Sequence, residues 1–316
     1  MSSPEVITMG RVSVDLYPEQ IGVPLAEVRT FAKSLGGSPT NVAVGAARLG
    51  RRAAVITKVG HDGFGDYVRA ALTGFGVDTR WVGTDPDLRT PIVFCEIYPP
   101  DRFPILFYRE PKAPDMNITR DELDLDAIER APVFWTTGTG LSEEPSRTAT
   151  LAALDARAGR EVTIHDLDHR HHLWTSLEDA RRYAREALRR ATVVVGNTEE
   201  VEMATGLRDP RAAAAALLEM GPRLAIVKRG GEGAYARTSR DEVSVPAVET
   251  RVLNGLGAGD AFGGALCHGL LAGWPLARTL EVANAAGAIV ASRLACADAM
   301  PTLAEIESLL AGRVAT

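Results

Sequence analysis

The feature that most constrains this chain is a repeated alternation of short apolar runs with longer segments of helical periodicity. The runs are rich in β-branched residues and lie at positions 6–9, 53–58, 133–137, 162–165, 192–195 and 224–228. Segments with helical spacing of apolar residues lie between them, at 40–49, 64–75, 145–157, 177–190 and 210–220. A continuously apolar strand must be covered on both faces, and helices between such strands favour parallel pairing. The sequence therefore predicts an α/β fold with a mostly parallel central sheet.

Two segments interrupt this alternation and look extended, at about 11–35 and about 88–112. Within the second, residues 91–98 and 105–109 predict a hairpin around Pro99-Pro100-Asp101. We expect the two segments to form a small β-sheet lid that projects from the main sheet. No repeat, charge run or low-complexity linker divides the chain, so we expect a single domain over residues 1–316.

Composition narrows the classes of partner. Lys and Arg total 35 against 41 Asp and Glu, a net charge of −6, and such a chain is a poor candidate for binding a nucleic acid over a broad surface. The three cysteines, Cys95, Cys267 and Cys296, lie far apart, which predicts buried thiols in a reducing compartment. Neither a secretory pattern in the first ten residues nor a long uncharged apolar stretch is visible. We therefore expect a cytoplasmic protein without a membrane partner.

Polar residues follow two of the predicted strands, where parallel sheets bind their ligands. Asn197 follows one strand, with Glu200 three residues later, and a glycine-rich stretch at 230–233 follows Lys228. A carboxylate at a helix start also stabilises the helix dipole by about 0.3–1 kcal/mol. The local pattern of Glu200 therefore fits either a ligand site or a helix cap.

The glycine-rich segment 254–262 reads Asn-Gly-Leu-Gly-Ala-Gly-Asp-Ala-Phe and leads into a predicted helix. Small residues allow the backbone to approach an anion closely, and the first N–H groups of a helix are free to bind it. Asp260 would then lie beside a bound phosphate, where it could accept a hydroxyl proton during phosphoryl transfer. A glycine turn in which Asp260 caps the helix is the purely structural alternative. The segment matches neither a P-loop nor a dinucleotide fingerprint.

A second glycine-rich segment lies near the N-terminus, where residues 36–41 read Gly-Gly-Ser-Pro-Thr-Asn. Its backbone and the Asn41 amide could bind a hydroxylated ligand. Taken alone, the segment fits a loop before a capped helix better than a ligand site.

Together the two segments resemble the paired signatures of the ribokinase-like (PfkB) carbohydrate kinases, Gly-Gly-Ser-x-x-Asn-x-Ala and Gly-Ala-Gly-Asp-x-Phe. Order, spacing and the intervening strand–helix pattern agree from residue 6 to the C-terminal helix. Residues 10–18, 107–115 and 166–174 look most similar to a subgroup that phosphorylates a keto-acid sugar of myo-inositol breakdown. That subgroup has Asn-Gly, as at Asn254-Gly255, where most members have Asp-Thr. The resemblance implies a ribokinase-like three-layer fold and ATP-dependent phosphorylation of a sugar-acid hydroxyl.

The resemblance also implies roles for single residues. Asp260 is the expected catalytic base, and the expected anion hole is Gly257, Ala258 and Gly259. The expected sugar ligands are Asp15, Gly36, Gly37, Asn41, Arg109 and Arg170. A substrate carboxylate would favour bidentate arginines, although Arg109 also fits an ion-paired surface residue. The expected ATP-binding residues are Asn197, Lys228, Gly230, Gly233 and Asn284, with Glu200 organising Mg²⁺ through water. The family further implies a monovalent cation near the glycine loop and a homodimer formed through the lid.

Other functions stay open at this stage. Within the family they are another acid-sugar kinase, such as 2-dehydro-3-deoxygluconokinase, or a fructokinase. A non-catalytic sugar sensor would share the fold, whereas a dinucleotide oxidoreductase would need a Gly-x-Gly-x-x-Gly after the first strand, which is absent. His165, His169, His171 and His172 cluster in sequence, but their spacing fits no standard zinc pattern.

Overall fold

The buried β-branched runs form the centre of a nine-stranded sheet, beside a second sheet of four strands. The computed structural model of the chain describes residues 3–160 and 162–312. The strands are β1 (Val6–Met9), β2 (Ser13–Pro18), β3 (Phe31–Gly36), β4 (Ala53–Gly60), β5 (Val82–Asp85), β6 (Ile92–Cys95), β7 (Ile105–Tyr108), β8 (Val133–Thr137), β9 (Val162–Asp166), β10 (Val193–Asn197), β11 (Leu224–Lys228), β12 (Ala234–Thr238) and β13 (Glu242–Val245). The helices are α1 (Ser38–Arg48), α2 (Gly63–Gly74), α3 (Leu125–Arg130), α4 (Ser146–Arg157), α5 (Leu177–Leu188), α6 (Thr198–Thr205), α7 (Pro210–Glu219), α8 (Ala258–Leu271), α9 (Leu276–Ala291) and α10 (Leu303–Gly312).

The large sheet has the strand order β13-β12-β11-β10-β9-β8-β1-β4-β5. Its strands from β11 to β5 pair in parallel, and β12 and β13 add an antiparallel edge. This arrangement confirms the predicted α/β class with a mostly parallel sheet. The carboxyl ends of β9, β10 and β11 lie side by side, which places Asp166, Asn197 and Lys228 at one edge.

Helices cover both faces of the large sheet, and alternate side chains of its central strands therefore enter two different cores. Val6 and Trp135 pack in the core that contains α1, α8 and α9. Ile7 and Phe134 point the other way, into the core that contains α3 and α4. The sheet is therefore the middle of three layers, as the family resemblance implies.

Helices α1 and α8 cross at unusually close range because glycines face each other at the crossing. A β-carbon on Gly264 would lie 2.9 Å from the backbone nitrogen of Ala46, and one on Gly45 would lie 3.4 Å from the Cα of Gly264. The two backbones are therefore in contact. One turn before the crossing, α1 carries Asn41 and α8 carries Asp260, and their side chains are hydrogen-bonded at 2.8 Å.

The four-stranded sheet has the order β3-β2-β6-β7 and is built from the two extended segments, including the predicted hairpin. Side chains alternate across it: Ile105 and Phe107 of β7 face a cavity, whereas Leu106 and Tyr108 are exposed. The outer face carries an aromatic row, in which Phe94 contacts Phe31 and Tyr108 edge to face.

None of the helices in residues 3–160 and 162–312 is both long enough and apolar enough to span a bilayer.

Candidate active site

The start of helix α8 forms an open, glycine-lined anion cradle. Gly257 precedes the helix with a φ of 82°, in the left-handed region that glycine tolerates. A β-carbon on Gly259 would lie 3.4 Å from the Lys228 ammonium, so a cation borders the cradle. The first N–H groups of a helix lack intrahelical acceptors and attract anions. Gly257, Ala258 and Gly259 therefore form a site suited to a phosphate group.

Asp260 lies in the first turn of α8 but does not cap it, because the helix start receives no side-chain hydrogen bond. Its carboxylate instead accepts a hydrogen bond from the Asn41 amide, at 2.8 Å. Burial raises the pKa of Asp260, although hydrogen bonds from Asn41 and Ser38 and the charge of Arg11 oppose the shift. The side-chain oxygen of Asn41 is buried and has no partner among the described residues, so it is available to a ligand.

A small cavity opens beside Asp260, between the four-stranded sheet and the main body. Its lining contains both polar and apolar residues. The polar and glycine residues are Arg11, Ser13, Asp15, Gly37, Ser38, Asn41, Arg170, Gly257 and Asp260, and the apolar ones are Val93, Cys95, Ile105, Phe107, Leu256 and Cys296. A cavity lined by hydrogen-bonding groups together with hydrocarbon suits a small hydroxylated molecule.

Asp15 is a buried carboxylate in the lining of this cavity. It accepts hydrogen bonds from the Ser13 hydroxyl at 2.6 Å and from the Tyr17 hydroxyl at 3.2 Å. Burial raises its pKa to about 6, although the Ser13 hydrogen bond and the nearby Arg11 oppose the shift. A β-carbon on Gly36 would lie 2.0 Å from the Asp15 carboxylate, so only glycine fits there. Gly37 has a φ of 98°, and a β-carbon on it would lie 2.5 Å from the carbonyl oxygen of Arg11.

Arg11 and Arg170 bring positive charge to the same cavity. Both pair with buried Asp168, Arg11 through Nε at 3.3 Å and Arg170 through Nη2 at 3.1 Å. Burial alone would raise the pKa of Asp168, but the two guanidinium groups outweigh burial and lower it. The Nε of Arg170 is buried and has no partner among the described residues. Sequence reasoning identified Arg170 but did not assign a role to Arg11, although Arg11 lies in the segment 10–18 that carries the family resemblance.

Arg109 is not brought into this cavity. Its guanidinium is buried and pairs with the fully buried Asp115, which also accepts a hydrogen bond from the backbone N–H of Val12 at 2.9 Å. Arg109 itself reaches the carbonyl oxygen of Val12 at 3.4 Å. The pair therefore anchors the start of β2, and Arg109 is not among the residues that line the cavity.

A second, larger cavity of about 740 Å³ lies on the other side of the glycine cradle. Its walls include Lys228, Gly230, Gly233, Gly259 and Asn284, together with apolar side chains such as Phe103, Val248 and Phe262. The Asn284 amide donates to the carbonyl oxygen of Pro246 at 3.1 Å, which fixes one wall of the cavity. The volume and the mostly apolar lining suit a nucleotide base, with its phosphates directed towards the cradle.

Asn197 and Glu200 lie outside the lining of this cavity and bind each other. The Asn197 side chain accepts from the backbone N–H of Glu200 at 2.9 Å, and the Glu200 carboxylate accepts from the backbone N–H of Asn197 at 2.7 Å. This capping box fixes the start of α6. Glu200 is therefore a helix cap in this structure. Its charge also raises the pKa of Asp166 and the pKa of Lys228.

Lys228 at the end of β11 and Asp166 at the end of β9 meet across the end of β10, with Nζ 3.4 Å from Oδ2. Burial alone would lower the pKa of Lys228, but Asp166, Glu200 and Asp260 outweigh it and raise the pKa. Burial raises the pKa of Asp166, although Lys228 opposes the shift. In residues 3–160 and 162–312, no group of three or more His, Cys, Asp or Glu side chains forms a ready-made metal site. Burial lowers the pKa of His165 to about 4, so this histidine is neutral in the core.

A buried carboxylate at a glycine-lined helix start, between a polar cavity and a nucleotide-sized one, defines a phosphotransferase that acts on a small hydroxylated molecule. The profile of the pfkB family carbohydrate kinases matches residues 3–303, and the chain belongs to that family.

Individual relatives agree with this assignment. The chain is 35% identical over 313 residues to a protein of Geobacillus kaustophilus named 5-dehydro-2-deoxygluconokinase, covering 97% of this chain and 93% of the relative. A putative ribokinase II from E. coli, solved in complex with ATP and Mg²⁺, superposes with a TM-score of 0.89 at 26% identity, covering 98% and 99% of the two chains. A fructokinase double mutant from Vibrio cholerae, solved with fructose, ADP and a potassium ion, gives a TM-score of 0.85 at 25% identity, covering 98% and 100%.

Proposed function

We propose that the protein transfers the γ-phosphate of ATP to 5-dehydro-2-deoxy-D-gluconate, giving the 6-phosphate, as a step of myo-inositol degradation. The observation that carries this substrate choice is the position of Arg11 and Arg170, which bring two guanidinium groups to the cavity that also contains Asp15 and Asp260. An anionic sugar needs such cations, because Asp15 and Asp260 would repel its carboxylate. The name of the G. kaustophilus relative supports the same substrate.

Asp260 is the group that would accept the proton of the reacting hydroxyl. The hydroxyl oxygen forms a bond to the γ-phosphorus, the bond from that phosphorus to the bridging oxygen of ADP breaks, and the proton moves to the Asp260 carboxylate. The hydrogen bond from Asn41 holds that carboxylate in place at 2.8 Å. A positioned carboxylate is sufficient, because phosphoryl transfer depends more on alignment and charge stabilisation than on base strength.

The glycine cradle and Lys228 would receive the phosphates. The N–H groups of Ala258 and Gly259 lie at the start of α8, and Lys228 borders Gly259. The adenine would occupy the cavity lined by Gly230, Gly233 and Asn284. A positive helix end and an ammonium group stabilise the negative charge of the transferred phosphoryl group.

Magnesium is the metal that this chemistry implies, and the nearby donors fit it. Asp166 and Glu200 supply carboxylate oxygens near Lys228, with Glu200 and Asn197 held in place by their mutual hydrogen bonds. Mg²⁺ in nucleotide sites is bound by one or two carboxylates, water and substrate phosphates rather than by a complete protein cage. We propose that Asp166 and Glu200 hold it, Glu200 through water, and that the ion neutralises phosphate charge.

A monovalent cation is a weaker fit. Asn254 is fully buried, its amide donates to the carbonyl oxygen of Leu294 at 2.6 Å, and its side-chain oxygen accepts from the backbone N–H of Leu256 at 3.0 Å. Both polar atoms of this side chain are thus engaged, and the residue brings no negative charge. We propose that potassium, seen in the V. cholerae fructokinase, is not required by this chain.

Two further proposals concern assembly and location. The aromatic row of Phe31, Phe94 and Tyr108, with exposed Leu106, gives the small sheet an apolar outer face that supports a homodimer formed through the lid. The free, buried cysteines support a reducing, cytoplasmic location.

An ADP-release assay tests the function. The substrates are 5-dehydro-2-deoxygluconate, 2-dehydro-3-deoxygluconate and fructose, each with Mg-ATP, and a reaction without sugar serves as the control. We expect the highest kcat/KM for 5-dehydro-2-deoxygluconate. A higher kcat/KM for 2-dehydro-3-deoxygluconate or for fructose would reject the substrate assignment and favour the corresponding kinase. Sugar binding by calorimetry without any ADP release would favour a non-catalytic sensor.

A further inference from the structure

A buried row of three hydrogen-bonded side chains, Asp15, Tyr17 and Cys296, connects the sugar cavity to the anion cradle. The Tyr17 hydroxyl is 3.2 Å from a carboxylate oxygen of Asp15 and 2.7 Å from the Cys296 sulfur. Tyr17 is fully buried and Cys296 nearly so. These groups have no part in the reaction as described above, although Cys296 contributes to the wall of the sugar cavity.

The chemistry of the three groups determines which of them donates each hydrogen bond. An ionised carboxylate can only accept hydrogen bonds, so Tyr17 donates to Asp15, and the Cys296 thiol is left to donate to the Tyr17 oxygen. Burial raises the pKa of Tyr17 and that of Cys296 well above their usual values, so both keep their protons. The Cys296 S–H, the Tyr17 O–H and the Asp15 carboxylate therefore form a directed series.

Cys296 also touches the anion cradle. A β-carbon on Gly257 would lie 2.5 Å from the Cys296 sulfur, so the sulfur packs directly against the first residue of the cradle. The same segment is tied to both sides of the site: the carbonyl oxygen of Leu294 accepts from Asn254, and Asp298 accepts from the Ser34 hydroxyl of β3 at 2.5 Å. Residues 294–298 thus connect the small sheet to the glycine-rich loop.

We propose that Tyr17 and Cys296 are positioning residues that hold the sugar-binding carboxylate of Asp15 in register with the phosphate-binding cradle at Gly257. The Tyr17 hydroxyl keeps the Asp15 carboxylate oriented and ionised, so that it can accept hydrogen bonds from sugar hydroxyls. Cys296 holds the Tyr17 hydroxyl in place and packs against Gly257. This inference rests on the proposed function, because it takes Asp15 as a sugar ligand and residues 257–259 as the anion hole.

The pH dependence of sugar recognition separates this role from simple packing. Asp15 must be ionised to accept sugar hydroxyls, and its pKa of about 6 places this transition on the acidic limb of kcat/KM for the sugar. Removing the Tyr17 hydroxyl takes a hydrogen bond from the ionised carboxylate, which raises the pKa of Asp15 and moves the acidic limb of kcat/KM to higher pH. The charged or titratable groups that face Asp15 are Arg11, Tyr17, Tyr67, Cys95, Asp260 and Cys296.

The experiment compares wild type with Tyr17→Phe, Cys296→Ala and Cys296→Ser. Its matched control is Tyr235→Phe, which removes a buried tyrosine hydroxyl that donates to Glu242 at 2.7 Å, away from both cavities. For Tyr17→Phe we expect the acidic limb to move up by about one pH unit. Cys296→Ala should lower kcat by about two- to tenfold and move the acidic limb by less than Tyr17→Phe does. Cys296→Ser retains a hydrogen-bond donor, so its kcat and its acidic limb should both be close to those of wild type. Tyr235→Phe should leave the limb unchanged.

Two results would overturn the proposal. One is an acidic limb in Tyr17→Phe that coincides with wild type, and the other is equal behaviour of Cys296→Ala and Cys296→Ser. Thermal unfolding of each variant shows whether a loss of activity reflects a loss of folding. The profile is measured with whichever sugar the wild type phosphorylates best, so an incorrect substrate assignment leaves the test intact. If the wild type binds sugar without turnover, the proposed function fails, and the limb is read from the binding constant by calorimetry.

Discussion

Replacing Arg170 with glutamine should reduce the preference of the protein for an acidic sugar. The Arg170 side chain is 39% exposed, pairs with Asp168 at 3.1 Å, and has an Nε without a partner among the described residues. A charge-assisted hydrogen bond contributes about 1.5–3 kcal/mol, and partial exposure to solvent reduces that value. We therefore use about 1.4 kcal/mol, which corresponds to about a tenfold loss of kcat/KM for 5-dehydro-2-deoxygluconate. An uncharged ketohexose should lose much less.

The assay measures kcat/KM for the acid sugar and for fructose in wild type and in Arg170→Gln, at fixed ionic strength. Arg208→Gln is the matched control, because Arg208 is exposed and pairs with Glu202 at 2.8 Å, outside both cavities. Arg170 is preferable to Arg11, whose side chain is only 8% exposed and makes three hydrogen bonds to buried Asp168. Equal losses for the two sugars would refute the recognition of a carboxylate by Arg170. The guanidinium would then act on the phosphates or on the fold.

Other variants and conditions separate the remaining roles. Asp260→Asn should lower kcat by about 10²–10⁴-fold while ATP affinity, measured by calorimetry, stays near that of wild type; a near-normal kcat would remove Asp260 as the base. Arg109→Ala should lower the free energy of unfolding by about 3–5 kcal/mol, measured with urea, because it leaves the Asp115 charge buried without its partner; a stable variant with a selective loss of acid-sugar affinity would return Arg109 to the substrate. Activity should require magnesium and should not respond to stoichiometric zinc, so zinc bound tightly to untagged protein would contradict the assigned donors. Exchanging potassium for tetramethylammonium should change kcat by less than about twofold, and a larger dependence would show that the Asn254 loop still binds a cation.

The central strands could be predicted almost residue by residue, because a strand covered on both faces leaves an uninterrupted apolar signal. The predicted runs at 6–9, 133–137 and 224–228 coincide with β1, β8 and β11. The antiparallel pair β12 and β13 was missed because β12 carries a single large apolar side chain, Tyr235, and β13 is only four residues long. The glycines at 230–233 fit a ligand-binding loop as well as a turn between strands, so the sequence does not mark the turn from β11 to β12.

The site was harder to predict, because burial and partners are properties of the fold and not of a motif. Arg109 and Arg11 are alike in sequence terms, yet Asp115 pairs with one and Asp168 directs the other to the cavity. Cysteine patterns likewise indicated only buried thiols. The contact of Cys296 with both Tyr17 and Gly257 joins segments about 279 residues and about 39 residues apart, which no local pattern reveals.

The glycine contact between α1 and α8 has a consequence for how such a protein can acquire new substrates. Because the two backbones touch at Gly45 and Gly264, Asn41 and Asp260 are mounted on what is effectively one rigid body. A change of sugar therefore has little freedom to come from moving the base relative to Asn41. The small sheet contributes Val93 from β6 and both Ile105 and Phe107 from β7, two strands with no part in that crossing. Selection or design can alter those three side chains while the distance between Asn41 and Asp260 stays fixed. Substrate specificity can therefore change in the small sheet without disturbing phosphoryl transfer.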